Sequence, residues 1–275
     1  NYYDLITSLI KNHRKLPAIQ CCQRNTEKVI VTEKDILKTN KNKAFWHTAF
    51  ALFFTFIFAS VGVVMLYVIL IENLTLHIAF PCMFLALSLV LYYVYITKKK
   101  EYEVLNSGVK GEQQTYEILK QLPKDFTVIT NPVIHNRGSV NELDFVIIGT
   151  NGVFVVETKN YRGIITGNTS AQSWKQIKHG KNKTYEKEVK NPAKQSYRQG
   201  RRMHEMFIDF GISADVFPIL YFVDSRSELK ITDDAEINVA IINSENDLLD
   251  FIMKSKGKHI VDESERSEII RFFKK

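Results

Sequence analysis

Cysteine is scarce in this chain: its three thiols are Cys21, Cys22 and Cys82. An adjacent pair with no second pair is not a zinc pattern, and three cysteines give no disulfide framework, so they read as reduced cytosolic thiols. Internal repeats and low-complexity tracts are also missing. Acidic residues are in the minority, 30 against 37 Lys and Arg, for a formal net charge of +7. Such an excess suits an anionic partner, either nucleic acid or a membrane surface. No Met opens the chain, so Asn1 reads as the start of a fragment or a processed product. The length of 275 residues suggests one or two domains.

Charge is nearly absent from two long stretches, and these are the first things positively present. Ala44–Ile71 and Leu74–Thr97 are apolar runs separated only by Glu72 and Asn73. Each is long enough to cross a hydrocarbon core of ~30 Å, which takes roughly 20 helical residues. Their length, internal position and pairing argue against a signal peptide. They predict a transmembrane helical hairpin, with Trp46 and the Tyr92, Tyr93, Tyr95 cluster near the interfaces. Pro81 is tolerable in such a helix, and His77 near the start of its span reads as interfacial. Lys38, Lys41 and Lys43 precede the first span and Lys98, Lys99 and Lys100 follow the second. The positive-inside rule then places both long flanks in the cytoplasm of a multi-pass inner-membrane protein.

The N-terminal segment, residues 1–43, offers an amphipathic helix over Tyr2–Lys11, a short strand at Val29–Val31, and His13 and Arg14 on a solvated face. From Glu101 the composition becomes that of a soluble α/β domain, after a linker over residues 98–107. Gly108–Leu122 reads as a helix with Ser107 as N-cap and Pro123 beyond its end. Strands follow at Phe126–Thr130, Val140–Ile148, Val153–Lys159 and Arg162–Gly167, joined by short polar turns at Asn136–Ser139 and Asn151–Gly152, and expected to be antiparallel in sequence. Thr169–Lys190, without clear period, reads as a long loop or a helical insertion. Asn191-Pro192 marks the start of a helix reaching about Phe210. Strands at Val216–Val223 and Val239–Ile242 and helices at Asp247–Lys254 and Glu263–Phe273 complete the domain, whose main part is 108–225 with 226–275 as its C-terminal completion.

The Val153–Lys159 strand is apolar until it ends on Glu157 and Lys159. Side chains alternate across a strand, so these two share a face. Buried charges need partners or a purpose. Asp144 lies in the preceding apolar strand, and neighbouring strands are about 4.8 Å apart, so Asp144 and Glu157 could meet. Two such carboxylates repel, which raises one pKa unless a cation sits between them. Oxygen ligands and an open position suit Mg²⁺ or Mn²⁺. Glu112 falls on the apolar stripe of its helix with Val109, Tyr116 and Leu119; it is aimed at the same site or is favoured there by the helix dipole. Lys159 could orient a water and stabilise charge on a phosphate, or form a structural ion pair. On the next helix Gln195, Gln199 and Arg202 make a polar stripe, phosphate-facing or solvated. Lys175, Lys178, Lys181 and Lys183, interleaved with Trp174 and Tyr185, suit a nucleic-acid backbone with base stacking, or an anionic lipid surface.

Several ordered motifs carry a resemblance. Gly108-Val109-Lys110-Gly111-Glu112, Glu142-Leu143-Asp144, Gly152 through Glu157-Thr158-Lys159, Tyr161-Arg162-Gly163, Trp174, and Asn191-Pro192-Ala193-Lys194-Gln195 together resemble the NERD, or nuclease-related domain, family of the PD-(D/E)xK nuclease superfamily. The resemblance covers something under half the chain. It implies an α/β fold, a restriction-endonuclease-like mixed sheet flanked by helices, and divalent-metal-dependent DNA cleavage with no organic cofactor. By position it implies Asp144 and Glu157 as metal ligands with the Thr158 carbonyl, Lys159 as catalytic, Glu112 as an accessory acid, and Gln195 at the site. Related nucleases often carry Gln-x-x-x-Tyr on that helix; here the fourth residue on is Gln199.

The expectation is a membrane-anchored, cytoplasm-facing DNA nuclease, with defence against foreign DNA as a guess at its role and a homo-oligomer or a defence-system partner compatible with it. The alternative is a non-catalytic NERD-like module that binds nucleic acid or protein at the membrane. A membrane-surface scaffold explains the carboxylates least well.

Overall fold

The computed structural model describes residues 29–31, 36–72, 78–136, 139–180, 183–233 and 236–273. The expected helix over Tyr2–Lys11, His13, Arg14, Cys21, Cys22, His77 and Lys181 lie outside the described residues. Two compact units emerge: one runs Asp35–Lys110, and the other joins strand β1 (Val29–Val31) to everything from Gly111 onward.

The first unit is built on two long helices, α1 (Ile36–Glu72) and the part of α2 (Ala79–Leu119) that precedes Gly111. Both are long and apolar enough to cross a membrane, and almost none of the side chains in their apolar windows is buried. Phe56 and Leu70 on α1 and Leu89 on α2 are each about two-thirds exposed or more. The two helices touch where a small residue allows it: a Cβ on Gly62 would come within 3.0 Å of Leu85 Cγ. Small residues at such crossings let helix backbones approach. The Phe58 and Phe84 rings stack at 5.8 Å alongside.

One expectation is corrected here. Residues 98–107 are helical, and Ser107 lies inside α2 rather than capping a new helix. That stretch, Lys-Lys-Lys-Glu-Tyr-Glu-Val-Leu-Asn-Ser, has no Pro or Gly and several strong helix formers, so nothing stops the helix where the apolar run stops.

The second unit is a mixed α/β assembly with its sheets flanked by helices. Its main sheet has the order β1-β2-β5-β6-β10-β12, with β2 Thr127–Thr130, β5 Phe145–Gly149, β6 Gly152–Lys159, β10 Val216–Phe222 and β12 Ala240–Ile242. The β2–β5 and β5–β6 pairs are antiparallel; β1–β2, β6–β10 and β10–β12 are parallel. β1 precedes the two long helices in sequence yet pairs with β2 beyond them. A second sheet has the order β11-β7-β8-β9, with β7 Gly163–Asn168, β8 Ser173–His179, β9 Thr184–Lys190 and β11 Ser227–Thr232. Strand β7 therefore leaves the main sheet instead of pairing with β6, and β11 was not foreseen. The residues expected to be a loop or a helix, 169–190, form the β8–β9 hairpin, closed by Gly180 N–H to the Lys183 carbonyl at 2.8 Å. Its inward positions, Trp174 and Gln176, alternate with Lys175, but a polar Gln on the buried side hides the period.

Val140–Ile148 is not one strand. It divides into β4 (Ser139–Glu142) and β5 around Leu143 and Asp144, opposite a matching break between β2 and β3 (Val133–Asn136). There Leu143 N–H bonds the Pro132 carbonyl and Asn131 N–H bonds the Asp144 carbonyl, both at 2.9 Å. Pro132 brings no N–H to continue a ladder, and Asn131 takes φ +49°. The break sets Asp144 at the open end of β5.

Side-chain alternation along β6 decides which helix meets which residue. Val153 and Val155 face a core shared with Met203, Met206 and Phe207 of α3 (Pro192–Asp209) and Ile269 of α5 (Glu263–Phe273). Phe154 and Val156 face the opposite core, with Ile118 and Leu119 of α2 and Leu248 and Ile252 of α4 (Glu245–Lys254). Continuing the count, Glu157 and Lys159 belong to the α3 face and Thr158 to the α2 face.

Candidate active site

Strand β6 begins at a turn that only glycine suits: Gly152 has φ +139°, and a Cβ there would lie 2.6 Å from the Phe217 ring. It ends at the carboxyl edge of the sheet, beside the parallel β10 in register from Val216↔Val153 to Phe222↔Lys159. Carboxyl edges of parallel strands are where open α/β sheets present their sites.

Glu157 is buried, with 3% of its surface exposed. Lys159 Nζ donates to its Oε1 at 2.5 Å and Gln195 Nε2 to the same oxygen at 2.6 Å. Gln199 Nε2 donates to Oε2 at 2.6 Å. Lys159 Nζ also donates to Gln195 Oε1 at 3.2 Å. Helix α3 brings both amides because Gln195 and Gln199 lie one turn apart. The helix is fixed by Asn191, which caps it by accepting from Ala193 and Lys194 N–H while its own amide donates to the Asn168, Thr169 and Ala171 carbonyls. Close approach to the sheet depends on Gly200, where a Cβ would lie 2.8 Å from the Pro218 Cβ.

Asp144 reaches the same edge from β5. Extending the β5–β6 register one step past Phe145↔Val156 sets Asp144 opposite Glu157. Its Oδ2 accepts the Thr158 N–H at 2.7 Å. The backbone of β6 alternates too: Val153 N–H and the Lys159 carbonyl bond residues flanking β10, so the Thr158 amide and carbonyl turn to the Asp144 side. Thr158 Oγ1 meets Thr115 Oγ1 of α2 at 3.3 Å, and Thr115 also donates to the Gly111 carbonyl. A Cβ on Gly111 would fall 2.8 Å from Asn160 Cβ, so glycine sets the distance of α2 from the strand end.

The electrostatics follow from this crowding. Burial pushes the Asp144 carboxyl well above its ordinary 3.8, and the nearby Glu157 and Glu112 carboxylates push it further, against the opposing effect of Lys159 and the Thr158 amide. Burial alone would draw the Lys159 ammonium down, but Glu157, Asp144 and its hydrogen bond to Glu157 hold it above the usual lysine range. Glu112 is thus close enough to act on Asp144, as its stripe on the helix suggests. Among the described residues, no three His, Cys, Asp or Glu side chains converge as a ready-made metal cage. The oxygens at this strand end are the Asp144 carboxylate, the Glu157 carboxylate and the Thr158 carbonyl. Among the described residues, none donates to the buried Gln199 Oε1 beside Glu157. An all-oxygen set short of ligands fits Mg²⁺, which keeps several waters, better than Zn²⁺.

The expected outer contacts are placed differently. Gln199 is buried and turned to Glu157, to which its amide donates. Arg202 donates to Asn141 Oδ1. Lys175 is on the outer face of β8 and pairs with Glu186 of β9 at 2.8 Å; Lys178 and Lys183 are exposed. Trp174 is buried, its indole N–H on the Asn168 carbonyl at 2.7 Å. Thr115 was missed by the sequence reading, although it lies one turn beyond Glu112 on the same helix.

Fold and site together define a mixed α/β protein whose carboxylate–lysine cluster closes the end of a central strand. Within that class, residues 107–223 match the family model of NERD, the Nuclease-related domain. The chain is also 36% identical, over 93 residues, to a Bacillus anthracis protein described as uncharacterized; the match takes in 33% of this chain and 42% of that one. The chain therefore spans about two-fifths of the length of the curated relative it matches. No solved structure matches.

Proposed function

We propose that the chain is a membrane-anchored nuclease that hydrolyses DNA phosphodiester bonds with a divalent cation, Mg²⁺ or Mn²⁺. The observation that carries this reading is Asp144 beside Glu157 at the strand end, its carboxyl raised by burial and like charge, with Lys159 as the ammonium at hand. Excess buried negative charge is what a divalent cation neutralises. Asp144, Glu157 and the Thr158 carbonyl would hold it, with water filling the other positions. A bound cation would supply Lewis acidity toward the phosphate and a more acidic water. Lys159, kept protonated, places its ammonium where charge develops on the phosphate. Gln195 and Gln199 hold the Glu157 oxygens in place, and Glu112 adds negative charge beside Asp144. Lys178 and Lys183 supply phosphate contacts from the β8–β9 hairpin, and Lys181 is expected to add to them.

The membrane part of the reading rests on the two exposed apolar helices, the lysines at both outer flanks, and β1. The pairing of β1 with β2, which flank the hairpin in sequence, supports placing both flanks on one side of the bilayer. The positive-inside rule makes that side the cytoplasm. Defence against incoming DNA fits this location.

A second reading, a non-catalytic binding module, draws on the saturation of Glu157 by Lys159, Gln195 and Gln199. The two separate on one assay. The full chain in detergent is incubated with plasmid, linear duplex and RNA, in Mg²⁺, Mn²⁺ or EDTA. DNA cleavage that EDTA abolishes is expected; retention of DNA with no cleavage in either metal supports the binding module instead.

A further inference from the structure

The two long helices carry a groove of about 720 Å³, lined by both charged and apolar side chains, at the ends that bear the flanking lysines. Asn40, Lys43 and His47 of α1 line one wall, spaced three and four residues apart and so on one stripe. Lys98, Lys100 and Glu101 of α2 line the other. The groove sits within one helical turn of the points where both apolar runs meet polar sequence, Ala44 and Thr97. Phe45 packs on Trp46 and on Tyr102 of the other helix, both ring pairs at 5.7 Å, at the same level. Aromatic residues so placed mark the headgroup layer of a bilayer.

The charge of the groove is unbalanced. Its one acid, Glu101, is already paired with Lys98 at 2.7 Å. Among the described residues Lys43 and Lys100 form no ion pair, and both line the groove, one from each helix. An interfacial concavity with surplus ammonium groups, amide and imidazole donors, and an apolar wall from Val104 and Leu105 matches a ligand with a phosphate head and an acyl body. We propose that this groove seats the phosphate headgroup of an anionic phospholipid from the cytoplasmic leaflet, with Lys43 and Lys100 on its phosphate oxygens. This rests on the membrane reading and not on nuclease activity. A lipid held between the helix ends ties the anchor to anionic membrane.

The test uses the full chain in a neutral detergent. Phosphatidylglycerol, phosphatidylcholine or inorganic phosphate is added, and retained lipid is read by native mass spectrometry and stability by thermal unfolding. Phosphatidylglycerol should be retained over phosphatidylcholine. Replacing two lysines, each giving roughly fivefold near an anionic headgroup, should lower that preference roughly 25-fold in Lys43→Gln/Lys100→Gln. The matched pair Lys41→Gln/Lys99→Gln removes the same charge outside the groove and should keep the preference. Equal loss in both pairs would overturn the groove as the site, and an equal stabilisation by inorganic phosphate would overturn the lipid. Release of the chain from membranes by alkaline carbonate would instead overturn the membrane reading beneath it.

Discussion

At the scale of single residues, the site is a balance of charges that a cation, on the proposed reading, would relieve. Asp144 binds its proton more tightly when folded than when unfolded, because burial and the facing carboxylates raise it. The native state then holds more protons than the unfolded one over the interval above 3.8, so stability falls as pH rises through it. Asp144→Asn keeps an oxygen for the Thr158 N–H and removes the charge. In EDTA it should match the wild type near pH 4 and exceed it at pH 8 by about 2–4 °C in Tm, the shift that ~1 kcal/mol gives a domain of this size. Mg²⁺ should close the gap by stabilising the wild type alone; a variant less stable than wild type at pH 8 would contradict the account. Gln199 offers a second residue-level outcome. Gln199→Leu should weaken Mg²⁺ half-saturation of cleavage about 10–100-fold, as loss of a group supporting a metal ligand does, with little change in KM for DNA. The reverse pattern would return Gln199 to the nucleic-acid surface.

At the scale of elements, the basic stretch is a hairpin whose charges are unequal in use. Lys175 is held by Glu186, whereas Lys178 and Lys183 are exposed. Lys178→Gln and Lys183→Gln should each raise KM for DNA and reduce the salt slope by about 1, with Lys175→Gln having the smaller effect, read from cleavage rates across 50–200 mM salt. The elements also show what was legible in the sequence. Strand β6, helix α3 with its Asn191 cap, and α5 were readable because an apolar run, an Asn-Pro start and an amphipathic period each announce themselves locally. The Asp144–Glu157–Lys159 grouping was readable because alternation and strand spacing fix it. The break at Asn131–Pro132 and Leu143–Asp144 was not, since it depends on two strands interrupting together. Nor was the second sheet: Trp174 reaches its buried place only because Gly167 leaves room for the ring, a contact invisible to periodicity. The contact of Gln199 with Glu157 was not legible because a helical stripe cannot say whether a sheet edge or solvent faces it.

At the scale of the whole molecule, a strand from before the hairpin completes the sheet that lies after it. Deleting residues 1–31 should remove β1, expose the β2 edge and lower Tm of the full chain in detergent by a few degrees while leaving membrane insertion intact, as followed by thermal unfolding and carbonate extraction. An unchanged Tm would mean that β1 contributes nothing to the sheet. The central claim is that the end of β6 is a divalent-metal nuclease site. Its most direct measurement is the initial rate of supercoiled-plasmid nicking by the full chain in nanodiscs as Mg²⁺ is titrated, for wild type, Asp144→Asn and Lys159→Ala. The account predicts a saturable Mg²⁺ dependence in the wild type and a loss of at least ~100-fold in both variants. A rate indifferent to Mg²⁺, or unchanged by either substitution, would contradict it.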